Sequence, residues 1–231
     1  MIWWHGVSSD DVHLIVERFP SRPLPRRKGE SVPIPGRNGD YLEMQDAYEN
    51  YIQPYAVYLS GEVHGHLPAV ARAAARWLMV RGYQRLEDSY NLDEFRLAAV
   101  WGGHSFESCL NEFGRAEIEF NCDPRRFLKE GDIARPLSKG STLLNPTGET
   151  ALPILTLHGS GSGTLTIGGL TLSISNVNET TVDCELKQIY RGSTSLNSSS
   201  SGAFFALGDS AEVTWTGGIT SVDIRPRWWY V

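Results

Sequence analysis

Arg22-Pro-Leu-Pro-Arg-Arg-Lys-Gly-Glu-Ser-Val-Pro-Ile-Pro-Gly-Arg-Asn-Gly-Asp40 is the stretch on which the reading of this chain turns. Pro23, Pro25, Pro33 and Pro35 remove backbone donors and push their predecessors into extended conformations, while Arg26, Arg27 and Lys28 together resist burial. Neither a helix nor a central strand fits. The segment reads as a long extended arm between two strand-like pieces, and long segments of this kind within compact domains are functional or disordered. Its C-terminal neighbour argues for order. Tyr41-Leu-Glu-Met-Gln-Asp-Ala-Tyr-Glu-Asn-Tyr-Ile-Gln-Pro-Tyr-Ala-Val-Tyr-Leu59 is aromatic and β-branched enough for a well-packed sheet. The expectation is an arm that lies on a partner.

With 231 residues, 41% of them hydrophobic and 10% aromatic, the chain has the material for one or two ordinary cores. Charge is unevenly shared: residues 1–137 hold 16 of the 21 Lys and Arg and 20 of the 27 Asp and Glu. The remainder is neutral in character and rich in Gly, Ser and Thr. A net charge of -6 argues against affinity built on neutralising phosphates, which needs clustered Lys and Arg. The run Arg26-Arg27-Lys28 reads as a solvated loop or as donors to an acidic neighbouring surface. Cys109, Cys122 and Cys184 show no close pairing, so neither a disulfide framework nor a zinc site is expected. Met1-Ile-Trp-Trp-His-Gly lacks the basic start and apolar run of a signal peptide. The longest apolar candidate, Leu67 to Val80, is interrupted by Arg72 and Arg76, so no membrane span is expected.

Leu67-Pro-Ala-Val-Ala-Arg-Ala-Ala-Ala-Arg-Trp-Leu-Met-Val80 is the one segment with the composition of a helix. Pro68 suits a first turn, and Val70, Ala74, Trp77 and Leu78 recur at helical spacing as one buried face, with Arg72 and Arg76 on the other side. Strands are expected at Tyr83 to Leu86, Phe95 to Trp101, Ser105 to Phe113 and Arg115 to Cys122, the last closed by Asp123-Pro124. From Asp132 to Thr150 Pro, Gly and Asn recur without periodicity, which sets a domain border near residue 140 and domains over 1–140 and 141–231. Beyond it, β-prone runs at Ala151 to His158, Gly163 to Ile167, Leu170 to Ser175, Thr180 to Leu186, Gly202 to Leu207, Ser210 to Trp215 and Ile219 to Arg225 alternate with Gly- and Ser-rich turns. That is the look of an antiparallel sandwich. Ser193 to Gly202 reads as an exposed turn.

Chemistry-bearing motifs are sparse. His64-Gly65-His66 has no third ligand at motif spacing and reads as a loop before the helix. Gly102-Gly103 reads as a turn, with no helix after it to hold a phosphate. Glu87-Asp88 and Asp93-Glu94 surround Ser89-Tyr90-Asn91 without the central Gly of a calcium loop, and read as a solvated turn. There is no Gly-x-Ser-x-Gly and no His-Glu-x-x-His. No enzyme, metal or cofactor is expected. Trp228, Trp229 and Tyr230 are candidates for stacking on a glycan or a partner, against the alternative that they are packing.

The arm ending Ile34-Pro-Gly-Arg-Asn-Gly39, one Ala-rich helix, Gly82-Tyr-Gln-Arg-Leu-Glu-Asp88, Phe95-Arg-Leu-Ala-Ala99 and Ile118-Glu-Phe-Asn-Cys-Asp-Pro124, in that order, resemble the distal tail protein family of long-tailed (siphovirus-type) bacteriophages and prophages. The resemblance covers essentially the whole chain. It implies a mainly β protein: an N-terminal ring-forming domain of β-sandwich or split-barrel type with one helix, and a C-terminal galectin-like β-sandwich. It further implies a structural, non-enzymatic role in the virion, at the phage tail tip, for a protein made in the host cytoplasm. The protein would be a ring-shaped homo-oligomer, a hexamer, joining the tail tube and tape-measure proteins to the tail-tip and receptor-binding proteins. DNA would pass through the ring without specific binding. In this view Arg22, Pro23, Pro25, Arg26, Arg27, Lys28, Pro33, Pro35, Gly36, Arg37, Asn38 and Gly39 are the inter-subunit arm. An acidic net charge suits such a lumen. The alternative is a carbohydrate-binding module of a tail or cell-surface assembly, although the short second domain carries no inserted carbohydrate-binding module.

Overall fold

Residues 1–60, 67–100, 102, 107–110 and 113–231 are described by the computed structural model. The protein is mainly β with one α-helix. In chain order the elements of its first part are β1 (Ile2–Trp4), β2 (Val7–Ser8), β3 (Leu14–Val16), β4 (Arg27–Val32), β5 (Tyr41–Tyr48), β6 (Tyr51–Ser60), α1 (Leu67–Leu78), β7 (Gln84–Asp88), β8 (Asn91–Ala99), β9 (Glu107–Leu110) and β10 (Phe113–Leu128). The second part adds β11 (Arg135–Pro136), β12 (Thr142–Leu144), β13 (Ile154–Ile167), β14 (Leu170–Ile174), β15 (Thr180–Asp183), β16 (Gln188–Arg191), β17 (Thr194–Ser195), β18 (Ser200–Gly202), β19 (Ser210–Arg225) and β20 (Trp229–Tyr230).

Packing divides the chain into two compact units, Met1–Arg126 with Val231, and Phe127–Tyr230. The division falls within β10, upstream of the expected border near 140. The physical reason is that Asp132 to Thr150, irregular in sequence, is tied into the second unit by backbone bonds. Arg135 and Pro136 pair with Ile224 and Asp223, the Leu137 N–H donates to the Val222 carbonyl at 2.8 Å, and β12 pairs with β19.

In the first unit the strands lie in the order β2-β1-β7-β8-β10-β6-β3, with β9 beside β10. The core beneath them holds Ile2, Trp4, Tyr55, Leu59, Leu86, Ile118 and Phe120. Alternation along β10 buries Ile118, Phe120 and Cys122 as expected. Asp123-Pro124 does not end that strand. Pairing with β6 stops at Cys122 opposite Tyr51, so Pro124 breaks no bond to β6, and the Asp123 carboxylate takes the next N–H, of Arg125, at 3.0 Å.

Helix α1 buries Val70, Ala74, Trp77 and Leu78, the stripe read from the sequence. Trp77 is held at its polar end too, its indole N–H donating to the Val7 carbonyl at 3.2 Å. Trp77→Ala is therefore expected to cost about 3 to 5 kcal/mol and Arg72→Ala under about 1, compared by chemical denaturation. Equal losses would show that the buried face is elsewhere.

The second unit is a curled antiparallel sheet in the order β11-β19-β13-β15-β16-β17, with β14 and β18 continuing from β13. Its core includes Leu155, Leu157, Leu165, Ile167, Val213, Trp215, Val222 and Ile224. The paired runs expected on either side of Gly159 to Ser162 and of Thr216 to Gly218 are single long strands, β13 and β19. The glycines mark a corner instead of turns. Gly159 sits at φ +145 and Gly217 at φ +72, the register shifts there, and a Cβ on Gly218 would lie 1.7 Å from the Ser160 carbonyl oxygen. Glycine lets the two backbones cross and bend without ending the ladder. The expected strand Gly202 to Leu207 is reduced to β18 and one bridge between Ala151 and Leu207, whereas β16 pairs with β15 where none was expected.

Candidate assembly site: the projecting ribbon and its root

Among the described residues Arg27–Val32 and Tyr41–Tyr48 pair only with each other, as an antiparallel ribbon in the register Val32 to Tyr41, Ser31 to Leu42, Glu30 to Glu43 and Gly29 to Met44. The sequence excluded a helix and a central strand here, and β4 is neither: the prolines at 25 and 33 flank a proline-free window just long enough for a strand of a two-stranded ribbon. Tyr41–Tyr48 was expected to be well packed, and that expectation is corrected. Tyr41, Leu42 and Met44 are 53, 61 and 54% exposed, and Val32 and Ile34 are also exposed. The packed sheet begins at β6.

Each arm residue has a definite place. Arg26 and Lys28 are exposed. Arg27 pairs with Asp46 at 3.3 Å, donates to the Tyr48 hydroxyl at 2.7 Å and lies over its ring. Pro33, Pro35, Gly36, Arg37, Asn38 and Gly39 form the exposed tip, closed by the Arg37 N–H on the Ile34 carbonyl and by the Ser31 hydroxyl on Asp40. Arg22, Pro23 and Pro25 belong to the root instead. Pro25 is buried, the Pro23 carbonyl accepts from Arg126 Nη2 at 2.9 Å, and the Ser21 carbonyl accepts from Gln53 Nε2 at 2.8 Å.

The root is anchored on Glu94, 2% exposed, which receives Arg96 at 2.8 Å, Arg126 at 3.2 Å and Arg22 at 3.2 Å. Arg96 also reaches Asp88 at 2.9 Å, and Asp88 accepts from the Tyr55 hydroxyl and from the Tyr90 and Asn91 N–H groups. Burial alone would raise the Asp88 pKa. The Arg96 charge and the hydrogen bonds from Arg96, Tyr55 and Asn91 outweigh it and hold the carboxyl below its ordinary value. Burial pushes the neighbouring Cys122 thiol up to about 12. The solvated turn expected at Glu87-Asp88 and Asp93-Glu94 is thus corrected: Asp88 and Glu94 are buried partners of arginines. Neither Arg96 nor Arg126 carries a local motif: Arg96 shares β8 with Glu94 and meets Asp88 of the neighbouring β7, whereas Arg126 reaches Glu94 from β10.

In the second unit Trp228 is 1% exposed, and its carbonyl accepts the Leu128 N–H at 2.9 Å. Trp229 is half-buried with its indole N–H on the Thr150 carbonyl at 3.0 Å, and Tyr230 is half-buried. Trp228 therefore offers no stacking face. His158 stands between two carboxylates, with Nδ1 2.7 Å from Glu179 and Nε2 3.0 Å from Asp223. The Glu179 hydrogen bond, working against burial and joined by Asp223, raises the imidazole pKa above 6.5. A raised folded pKa gives stability that is complete below about pH 6.5 and is lost as pH rises through the folded value. Thermal melts are expected to show this unit more stable at pH 5.5 than at pH 9 by under about 1 kcal/mol, a gap that His158→Gln removes. A gap unchanged in the variant would assign it elsewhere.

His64, His66, Gly103 and the Cys109 side chain lie outside the described residues. Among the described residues no three His, Cys, Asp or Glu are grouped to hold a metal, and no helix is long and apolar enough to cross a membrane.

No family model and no curated protein matches the sequence. Among solved structures, the chain is similar to the Dit protein of phage SPP1, described as a paradigm of the hub adsorption apparatus in phages infecting Gram-positive bacteria. The TM-score is 0.74 at 11% identity over 96% of each chain. It is also similar to a chain of the phage P2 baseplate in its activated conformation with Ca, with a TM-score of 0.54 at 7% identity over 92% of this chain and 89% of that one. The chain has the fold of these phage hub and baseplate chains.

Proposed function

We propose that this chain is a structural protein of a bacteriophage tail tip, a distal tail protein without enzymatic activity, that forms a six-fold ring joining the tail tube to the tip and its host-adsorption parts. The observation that carries this reading is the likeness to the SPP1 Dit protein, which spans 96% of both chains and so takes in both units. The ribbon supports it from the physical side. A two-stranded ribbon exposed along its length is marginal alone and presents unpaired edges, a liability that burial in an assembly removes. The net charge of -6 suits a ring through which DNA slides. In this reading the ribbon links neighbours, the root fixes its direction, and the second unit faces the tip proteins. Native mass spectrometry with negative-stain imaging tests it: six-chain rings are expected, and antibody against the chain is expected to label tail tips in the parent virion. A chain that stays monomeric at assembly concentrations, or label confined to heads, would overturn it.

A further inference from the structure

We infer that one ribbon face, centred on Glu30 and Glu43, docks on the exposed face of α1 in a second copy of this chain, at Arg72 and Arg76; the inference rests on the assembly reading above. Glu30 and Glu43 are directly opposite in the ribbon register, so their side chains share a face with Cβ atoms about 5 Å apart. Both are exposed, and among the described residues neither has an ion pair. Like charges in that position weaken a ribbon unless cations arrive from outside. Arg72 and Arg76 present the mirror case. They lie one helical turn apart on the exposed side of α1, roughly 5 to 6 Å between Cβ atoms, again a repelling pair without an ion-pair partner among the described residues.

The two pairs match in spacing and are opposite in sign. Their surroundings match as well. Val32 and Tyr41, the next pair on the ribbon face, are exposed; on the stripe of α1 that carries the two arginines the small, exposed Ala69 leaves room for them, and the exposed Met79, one residue past the helix end, adds apolar surface. Because donor and acceptor surfaces are different patches of one chain, the contact is head-to-tail, the type that closes into a ring when its rotation allows.

Charge reversal tests this with exposed residues only. Glu30→Arg with Glu43→Arg, and separately Arg72→Glu with Arg76→Glu, are each expected to raise the assembly Kd at least about tenfold, read by light scattering, with unchanged melting. All four reversals together are expected to restore assembly. If wild-type rings form and neither reversal weakens them, or the combined variant is no better than either set alone, the pairing is wrong while the ring stands. A wild-type chain that never assembles overturns both.

Discussion

Replacing Arg27–Tyr48 by a short Gly-Ser turn is expected to give a chain that folds and melts like the parent yet runs as a monomer. The excision is geometrically mild. The Glu49 N–H donates to the Arg26 carbonyl at 2.8 Å, so the two cut ends are already neighbours. No residue of the ribbon belongs to either core cluster, so the first unit loses no core packing. What is lost is the exposed apolar set Val32, Ile34, Tyr41, Leu42 and Met44. Full burial of each such side chain contributes about 1.5 to 3 kcal/mol, so even half of that sum, lost from assembly, moves the Kd by more than about two decades. The paired strands also restrict the arm before docking, which lowers the ordering cost on binding. Native mass spectrometry reads the state, and near-UV circular dichroism confirms the fold. Rings formed by the shortened chain would place the connection outside the ribbon.

The ribbon shows which part of the structure the sequence carries and which it does not. Prolines at 23, 25, 33 and 35 forbid a helix locally, so an extended segment was a direct consequence. That Arg27–Val32 would pair with Tyr41–Tyr48, and that the aromatic second strand would stand in solvent, depends on what lies across from each face; composition is the same for a buried and a projecting strand. The helix face was legible because the spacing of Val70, Ala74, Trp77 and Leu78 admits one solution. The corner in β13 and β19 was not, since glycine at φ > 0 serves turn and bend alike and only long-range register distinguishes them. Glu94 was least legible. An acid beside Asp93 and Tyr90 looks solvated until Arg22, Arg96 and Arg126, up to 72 residues away in sequence, converge on it.

Glu94→Ala is expected to be the most damaging single substitution at the ribbon root, costing about 3 to 5 kcal/mol, because it strands Arg126 where water cannot reach it and takes one of two carboxylates from the equally buried Arg96. Arg96 and Arg126 have side-chain exposures of 3 and 0%, and each relies on Glu94 for an ion pair. Arg22, whose side chain is 51% exposed, can turn to solvent when its partner goes, so Arg22→Ala is expected to cost under about 1 kcal/mol although its distance to Glu94 is the same 3.2 Å as that of Arg126. Equal geometry with unequal desolvation makes the comparison decisive. Arg96 keeps a second carboxylate in Asp88, so the greater strain falls on Arg126, which also holds the Pro23 carbonyl. Glu94→Ala is therefore expected to loosen the root as well as lower the melting temperature, seen as faster amide exchange in residues 21 to 26 at temperatures where the rest of the unit stays protected. Losses of under about 1 kcal/mol for Glu94→Ala, equal to those of Arg22→Ala, would mean that solvent reaches Arg96 and Arg126 and that the ribbon is aimed by its prolines alone.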